Sequence, residues 1–558
     1  MTEPHLDDHS SIFSSSRHAL GTRTWGRVLA ALDGNLSPQD VPTILSQLKE
    51  SLNLPGYIDD LARMEWARHE IGNTQSHDNA PSRISVNPAL SLVPVAWNHL
   101  VSLLAPGAGQ KETPTPCPGH VMVWQHPKNH GILVAQAGNE DLLALKIVLE
   151  EIPFVEAAAQ GNVPVGVIRS ALDRAVEKGL LWAPPSRIRR DFLPDPVDPT
   201  VSPFLKTDVF TLQWHITQAC DLHCKHCYDR SDRAVMPHDR ALGVLDDFDQ
   251  FCQAMHVRGQ VTFTGGNPFL HPRFPDLYRA ALERGFGLAV LGNPTPMEAM
   301  ERLMEISPPL FFQISLEGLS HHNDDIRGPG HFDRSLAFLD RLRQLKIHSM
   351  VMLTLTRDNL DQVLPLGELL QGRTDHFTFN RLATVGEGAR LAMPDPKAFE
   401  AFLRKYEMAA RENPILGLKD NLINIVRREK GAPLFGGCTG FGCGAAFNFV
   451  SLLPGGEVHA CRKFPSPLGN ILQSSLAEIY HSDTARAFRK GSEACRTCNL
   501  VPVCRGCLAI THSCGLDPFQ DRDPFCFHNQ TTHELSNWIP NHNQEKKSEE
   551  CHDKNISQ

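Results

Sequence analysis

The sequence predicts an α/β fold centred on a parallel β-sheet. Six apolar segments with strand character alternate with segments of helical periodicity across the middle of the chain. Because each strand is followed by a helix, right-handed crossovers into one parallel sheet are expected. The predicted strands are 211–216, 260–264, 287–292, 311–316, 349–355 and 375–380, and the predicted helices are 239–257, 273–284, 297–306, 333–346 and 359–371.

Length and composition set the outer limits. The chain has 558 residues, enough for three or four domains, and its 41% hydrophobic and 21% charged residues are typical of globular protein. It has no run of eighteen apolar residues and no signal-like N-terminus, so we expect no membrane span and a cytoplasmic location. The net charge of −9 argues against nucleic-acid binding.

The regions before the sheet divide by composition. Residues 1–20 are polar and expected to be disordered, and 21–105 are expected to be helical. A Pro- and Gly-rich linker over 106–118 follows. Residues 119–183 then contain two alternating segments, HVMVWQH and GILVAQA, and three helical ones, which together predict a winged-helix-like domain.

The remaining boundaries are also compositional. Residues 184–205 are rich in proline and predict a stiff connector, and 206–395 form the α/β core. Residues 396–437 are expected to be a helical connector. Residues 438–530 hold turns, glycines and cysteines with little periodicity, so metal is expected to replace a hydrophobic core there. Residues 541–558 are expected to be a disordered tail.

Cysteine is distributed very unevenly. Three of the fifteen cysteines, Cys220, Cys224 and Cys227, lie directly after the first predicted strand of the core. Active sites of barrel-like α/β folds lie on such loops. Structural zinc sites take four ligands. Three thiolates on a cubane iron–sulfur cluster would leave one iron open for another ligand.

The C-x3-C-x2-C motif, its place after the first strand and the six following βα units resemble the radical S-adenosylmethionine (SAM) superfamily. The resemblance implies a partial (β/α)6 TIM-type barrel whose three cysteines hold a [4Fe–4S] cluster. The open iron would bind SAM, and reduction by a flavodoxin- or ferredoxin-like donor would release a 5′-deoxyadenosyl radical. Zinc binding or a chance spacing is the alternative.

The same resemblance suggests SAM contacts at the ends of later strands. Gly265, Gly266 and Asn267 stand where the family has a Gly-Gly-Glu motif that binds the SAM amino group, with Asn in place of Glu. Asn293 ends the third strand, where a plain turn is the alternative. Ser315 could meet the carboxylate or ribose, Arg327 could pair with the carboxylate, and His226 would lie near the adenine.

A second group of cysteines lies between Cys438 and Cys526. This group resembles the SPASM extension of radical SAM enzymes, which usually carries two auxiliary [4Fe–4S] clusters. Two departures stand out: the spacing after Cys504 is two residues rather than three, and Cys514 competes with Cys526 as the last ligand. A single cluster and a zinc site are the alternatives. Carrying the pattern over assigns Cys438, Cys443, Cys461 and Cys507 to one cluster, and Cys495, Cys498, Cys504 and Cys526 to the other.

Two resemblances indicate the substrate. Residues 119–183 resemble the leader-binding domain of enzymes that modify ribosomally made peptides, and such domains add the leader as an extra strand. The segment GCTGFGCGAAFNFVSLLPGGEVHACRKFPSPLGNIL resembles thio(seleno)oxazole-modification radical SAM maturases, which implies a precursor peptide modified at or near cysteine. The alternatives are a sulfatase-type or cofactor-forming maturase and a non-enzymatic metal-binding regulator. Cys117, Cys252 and Cys551 are expected to be ordinary thiols.

Overall fold

A computed structural model of the protein describes residues 11–31, 37–74, 81–104, 112–190 and 199–528. The described chain opens with three helices, α1 (Ser14–Ala31), α2 (Val41–Leu48) and α3 (Ile58–Asn73). No helix in the described part of the chain combines the length and apolar character needed to cross a bilayer.

Helix α1 corrects the expectation of disorder over residues 1–20. Residues 1–10 lie outside the described residues, but Phe13 is fully buried and residues 14–20 are helical. Glu65 on α3 accepts hydrogen bonds from the backbone N–H groups of Ser15 and Ser16, at 2.5 and 3.1 Å. These N–H groups have no partner within the helix, so the carboxylate caps α1 and fixes it to α3.

A three-stranded antiparallel sheet follows, with β3 in the centre and β4 at one edge. Val121 and Val123 of β3 pack against the N-terminal helices, and Met122 and Trp124 pack against three later helices on the opposite face. The sheet is therefore covered on both faces. These elements are β1 (Ser85–Val86), β2 (Leu90–Trp97), β3 (Pro116–Gln125), β4 (Ile132–Gln136), α4 (Asn139–Leu149), α5 (Phe154–Gly161), α6 (Val165–Glu177) and β5 (Leu181–Trp182).

The prediction that 21–105 is entirely helical is wrong, because β1 and β2 lie within it. Strand β2 has the alternating burial of a strand, with Val93 and Val95 inside. Pro94 lies between them, and proline argues against a central strand. Strand β2 is an edge strand, where a missing N–H is tolerated, so the proline did not exclude it.

The central sheet contains the six predicted parallel strands in chain order, each within two residues of its predicted bounds. The five predicted helices are also present, within four residues. A short helix after β9 was not predicted. The elements are β6 (Val209–Thr217), α7 (His238–Met255), β7 (Arg258–Gly265), α8 (Phe274–Glu283), β8 (Gly287–Leu291), α9 (Met297–Ile306), β9 (Phe312–Ser315), α10 (Ser320–Arg327), α11 (His331–Gln344), β10 (Ser349–Leu355), α12 (Val363–Leu370) and β11 (His376–Arg381).

The C-terminal region extends this sheet. Strand β12 pairs in parallel with β6, and β13 and β14 follow antiparallel, giving nine strands in the order β11-β10-β9-β8-β7-β6-β12-β13-β14. Val450, Leu452 and Val458 are fully buried in the main core, so the expectation that metal replaces a core there is corrected. The elements are α13 (Pro396–Glu412), α14 (Ile423–Glu429), β12 (Phe449–Leu452), β13 (Glu457–His459), β14 (Pro467–Asn470), α15 (Leu476–His481), α16 (Asp483–Lys490) and α17 (Leu508–Ser513).

The proline-rich connector is anchored rather than free. Residues 191–198 lie outside the described residues, but Arg190 is buried and its guanidinium stacks 3.8 Å from the centre of the Phe447 ring. Its Nη2 donates to the carbonyl oxygens of Phe441 and Cys443, at 2.7 and 2.6 Å. The connector is thus tied to the first turns of the cysteine-rich region. Residues 529–558, including Cys551 and the expected tail over 541–558, lie outside the described residues.

Candidate active site and cysteine centres

The first three cysteines lie on the loop that leaves the carboxyl end of β6, as predicted. Cys220 is exposed, and Cys224 and Cys227 are half-buried. Burial raises the pKa of the Cys224 thiol, Arg327 acts in the opposite direction, and Cys220 and Cys227 add to the rise. The sulfur atoms of Cys220 and Cys227 are therefore near that of Cys224.

Asp221, inside this motif, was not singled out from the sequence. Its Oδ1 accepts hydrogen bonds from the side-chain amides of Asn267 and Asn293, at 3.0 and 2.7 Å. The Asn293 amide also reaches Cys220 Sγ at 3.6 Å. Two predicted SAM contacts thus hold the cysteine loop in place, and a direct contact with SAM stays a prediction for both.

The two glycines after β7 permit a close approach of backbone to backbone. A Cβ on Gly265 would lie 2.0 Å from the carbonyl oxygen of Thr217, and one on Gly266 would lie 2.2 Å from that of Ala219. Gly265 also has a φ of +139°, which favours glycine. These glycines therefore allow the end of β7 to pack closely against the end of β6 and the start of the cysteine loop.

Glu317 was not predicted from the sequence as a residue of this site. It is fully buried, and its Oε1 accepts from Nε and Nη2 of Arg327, at 2.8 and 2.6 Å. His226 Nε2 lies 2.8 Å from the same oxygen. Burial alone would raise the pKa of Glu317, but His226 and Arg327 hold it well below its usual range. A charged carboxylate therefore stands behind the cysteine loop.

Arg327 faces the loop as well as the carboxylate. Its Nη1 lies 3.7 Å from Cys224 Sγ, so a guanidinium N–H points at a candidate cluster ligand. The expected pairing of Arg327 with SAM stays a prediction, because two of its nitrogens are already bonded to Glu317. Ser315 is half-buried, and its hydroxyl makes no hydrogen bond with any described residue, which leaves it available for a ligand.

Four of the later cysteines face one small cavity of about 50 Å³. Burial raises the pKa of the Cys443 thiol to about 11 and of the Cys461 thiol to about 12. Such thiols stay protonated until a metal replaces the proton. The four are Cys438, Cys443, Cys461 and Cys507, the set assigned to the first auxiliary cluster.

A second cavity of about 20 Å³ is bordered by the other assigned set, Cys495, Cys498, Cys504 and Cys526. Burial raises the pKa of Cys495 to about 11, and the neighbouring Cys526 and Cys498 add to the rise. Cys514, the rival candidate, borders neither cavity. Its charged neighbours are Asp523 and Arg381, and it directly follows the last residue of helix α17. The geometry thus separates Cys514 from both sets.

The unusual two-residue spacing between Cys504 and Cys507 has a backbone explanation. Both intervening residues are left-handed, with φ of +65° at Arg505 and +61° at Gly506. A left-handed arginine is uncommon and costs conformational energy. The two residues turn the chain sharply, so that Cys504 borders one cavity and Cys507 the other.

Two further cysteines are isolated, as expected. Cys117 is exposed on β3, and Cys252 is buried on α7. Among the residues the structure describes, no three His, Cys, Asp or Glu side chains are close enough to share one metal ion.

Comparison with known families accounts for this arrangement. Residues 214–370 match the model of the radical SAM superfamily, and residues 443–507 match that of the SPASM iron–sulfur cluster-binding domain. The chain is an enzyme that contains a radical SAM domain and a SPASM domain. SAM and a [4Fe–4S] cluster are cofactors of the radical SAM core, and auxiliary iron–sulfur clusters are cofactors of the SPASM domain.

Three curated relatives are similar to this chain over a little more than half of its length. The AdoMet-dependent heme synthase of Methanosarcina barkeri is 24% identical over 57% of this chain and 96% of its own length. Mycofactocin maturase MftC of Mycolicibacterium smegmatis is 27% identical over 56% of this chain and 82% of its own. The antilisterial bacteriocin subtilosin biosynthesis protein AlbA of Bacillus subtilis is 26% identical over 53% and 66%.

Proposed function

We propose that this chain is a maturase that modifies a ribosomally made precursor peptide by radical chemistry, at or near a cysteine of that peptide. The observation that carries the proposal is the edge strand β4, which pairs with β3 alone among the described residues, in a separate sheet that precedes the radical SAM core. Two relatives, a mycofactocin maturase and a bacteriocin biosynthesis protein, support this class of substrate.

Strand β4 offers a regular row of backbone groups for a peptide. Ala137 N–H donates to His120, and His126 N–H donates to Gly131, so residues 133 and 135 face β3 in the same register. The alternation of an antiparallel pair then directs the N–H and C=O of Ile132, Val134 and Gln136 outward. An extended leader segment can bond to this row as a fourth strand.

Apolar side chains are exposed both on β4 and on the helix that follows it. Leu133 on β4 and Leu143 on α4 are 40% and 42% exposed. Exposed apolar side chains beside an open strand edge suit a leader whose alternate residues are apolar. We propose that this surface, together with the β4 edge, holds the leader while the modified part of the peptide reaches the cysteine loop.

In the core, we propose that Cys220, Cys224 and Cys227 hold the cluster that binds and cleaves SAM. When bound and reduced, this group supplies the 5′-deoxyadenosyl radical. Ser315, with its free hydroxyl, is the best candidate for a direct SAM contact. Asn267 and Asn293 fix the loop through Asp221, and Arg327 is held by Glu317 next to Cys224.

In the SPASM domain, we propose that each of the two four-cysteine cavities holds one auxiliary [4Fe–4S] cluster. Electrons would enter from a flavodoxin- or ferredoxin-like protein in the cytoplasm. The heme synthase relative favours a second candidate, a cofactor-forming reaction on a porphyrin. A large part of this chain, however, lies outside its match to that relative, which aligns over nearly its whole length.

Co-expression tests the proposal. A cysteine-rich precursor peptide encoded beside this chain's gene should change in mass when produced with the enzyme, and 5′-deoxyadenosine should accumulate. The control enzyme, with Cys220, Cys224 and Cys227 all changed to Ala, should give neither. An unchanged peptide together with SAM cleavage that depends on an added porphyrin would favour the second candidate and reject the peptide.

A further inference from the structure

A buried arginine at the end of the barrel lies between the two auxiliary cavities. Arg381 is the last residue of β11, its side chain is 2% exposed, and it borders the cavity of Cys438, Cys443, Cys461 and Cys507. Burial alone would lower its pKa, but Asp420 and Asp523 raise it well above the usual value. The guanidinium is therefore charged in the interior.

Asp523 is the main partner of this charge. Nη1 and Nη2 of Arg381 donate to its two carboxylate oxygens, at 3.0 and 2.7 Å, in a bidentate pair. The Asp523 side chain is fully buried, and the residue borders the second cavity, that of Cys495, Cys498, Cys504 and Cys526. One ion pair thus spans the space between the two cysteine sets.

The same carboxylate holds the backbone of both sets. Its Oδ2 accepts from the N–H of Cys507, a first-cavity cysteine, at 2.9 Å. Its Oδ1 accepts from Phe525 N–H at 3.0 Å, and the Asp523 carbonyl accepts from Cys526 N–H at 2.9 Å. Cys526 belongs to the second cavity, so Asp523 fixes one cysteine of each set.

The remaining nitrogen of the guanidinium extends the arrangement. Arg381 Nε donates to Asp420 at 2.7 Å, and the next residue, Asn421, accepts from the N–H of Cys438 at 2.7 Å. The amide of Asn421 also donates to the carbonyl of Gly506, at 2.6 Å, directly before Cys507. Three cysteines of the two sets are therefore tied to the final strand of the barrel, Cys507 and Cys526 through Asp523 and Cys438 through Asn421 and Asp420.

We propose that the Arg381–Asp523 pair is a positioning element that fixes both auxiliary clusters relative to each other and to the barrel. A fork of two parallel hydrogen bonds sets distance and orientation together, which a single contact does not. The inference goes beyond the proposed function, because it holds for any reaction that uses both auxiliary clusters.

The test uses full-length enzyme with Cys220, Cys224 and Cys227 changed to Ala, so that only auxiliary clusters contribute. Two four-iron clusters correspond to about eight irons per chain. In either orientation, Asp523→Asn places an amide donor against the Arg381 guanidinium and against the N–H of Cys507 or of Phe525. We expect iron to fall by at least half and the electron paramagnetic resonance signals of both reduced clusters to change. Arg381→Lys, which keeps the charge but not the fork, should retain iron and alter both signals.

Glu407→Gln in the same background is the matched control. Glu407 has a fully buried side chain that bonds Arg411 and Lys430, and it borders neither cavity. This variant should lower the melting temperature but keep the iron and both signals. Unchanged signals in Asp523→Asn, a change in one cluster only, or equal iron loss in Glu407→Gln would each overturn the proposal.

Discussion

The carboxylate of Glu317 and the guanidinium of Arg327 form a buried pair, with Nε and Nη2 at 2.8 and 2.6 Å from one oxygen. The guanidinium continues to Cys224, whose Sγ lies 3.7 Å from Nη1. The pair thus links the end of the fourth barrel strand to the cysteine loop. Thr354 N–H donates to the other carboxylate oxygen at 2.7 Å, so strand β10 also contributes to holding Glu317.

Glu317→Gln should impair both stability and SAM cleavage. Removing one charge of a buried pair leaves the other uncompensated, at a cost of about 3–5 kcal/mol. A displaced Arg327 would also misplace the loop, and a small misplacement can slow a reaction about 10- to 100-fold. Melting temperature and the rate of 5′-deoxyadenosine formation measure the two effects.

Lys225→Gln provides the control for this variant. Lys225 and Asp325 form a 2.6 Å ion pair between the same loop and the same helix, but both side chains are more than half exposed. An exposed pair contributes less than about 1 kcal/mol. If Lys225→Gln reduced stability and cleavage as much as Glu317→Gln, the buried pair would have no special role.

Serine substitutions should show whether Cys514 or Cys526 is the last ligand of the second auxiliary cluster. Cys526 borders the second cavity, whereas Cys514 borders neither. Cys526→Ser should therefore lose up to about four irons per chain, and Cys514→Ser should keep all of the roughly twelve irons expected for three clusters. Iron analysis of anaerobically reconstituted protein decides this, and iron loss from Cys514→Ser alone would exchange the two assignments.

Val134→Pro should weaken leader binding without disrupting the sheet. Proline removes an outward N–H of the edge strand and leaves the bonds between β3 and β4 intact. We expect the dissociation constant of a labelled precursor leader to rise at least about tenfold, equivalent to about 1.4 kcal/mol. Val134→Thr keeps the N–H and should bind like wild type. Equal binding by all three proteins would place the leader elsewhere.

Asp173 should make stability depend on pH near neutrality. It lies on α6 beside a cavity of about 930 Å³ between the N-terminal sheet domain and the barrel. The net pKa of Asp173 is raised to about 6. Burial is the largest cause of the rise and Glu177 adds to it, whereas Arg258, Arg169 and Arg174 act in the opposite direction. Because the folded pKa exceeds the unfolded one, its stabilising contribution is complete below about pH 4 and is lost as the pH rises through 6.

Asp173→Asn should therefore gain stability over wild type at pH 7.5 and lose about half of that gain at pH 5. After allowance for solvent screening, the change between the two pH values is about 1 kcal/mol. Melting temperatures at both pH values provide the measurement. Asp208→Asn, which alters a 59% exposed carboxylate at the same cavity, should show no such difference. A pH-independent effect of Asp173→Asn would contradict the assigned pKa.

The sequence was most informative where signals are local. The Cys220–Cys227 spacing and the period of the barrel strands are visible within short windows, so the loop and all six strands were predicted. Strand β2 was not predicted, because 21–105 was assigned from the helical spacing near residues 61–67 and the strand's partner β3 lies beyond a long connection. The periodicity of a short segment does not indicate which distant strand it pairs with.

The partners of the site were not predictable for the same reason. Arg381 and Asp523 are 142 residues apart, and neither lies in a recognisable motif. Glu317 lies two residues after the predicted contact Ser315, but its contact with Arg327 depends on how α10 packs, and that helix was not predicted. The choice between Cys514 and Cys526 likewise required the shape of the second cavity.

The pairing of β6 with β12 has a consequence for the folding of the protein during its synthesis. Ser451 on β12 bonds Gln213 on β6 across 238 residues of chain, so the first barrel strand stays unpaired on one side until most of the chain has been translated. An apolar strand with a free edge invites association with other chains. A barrel truncated before residue 449 keeps that edge permanently, so the radical SAM core is expected to need its own C-terminal domain to avoid association through the free side of β6.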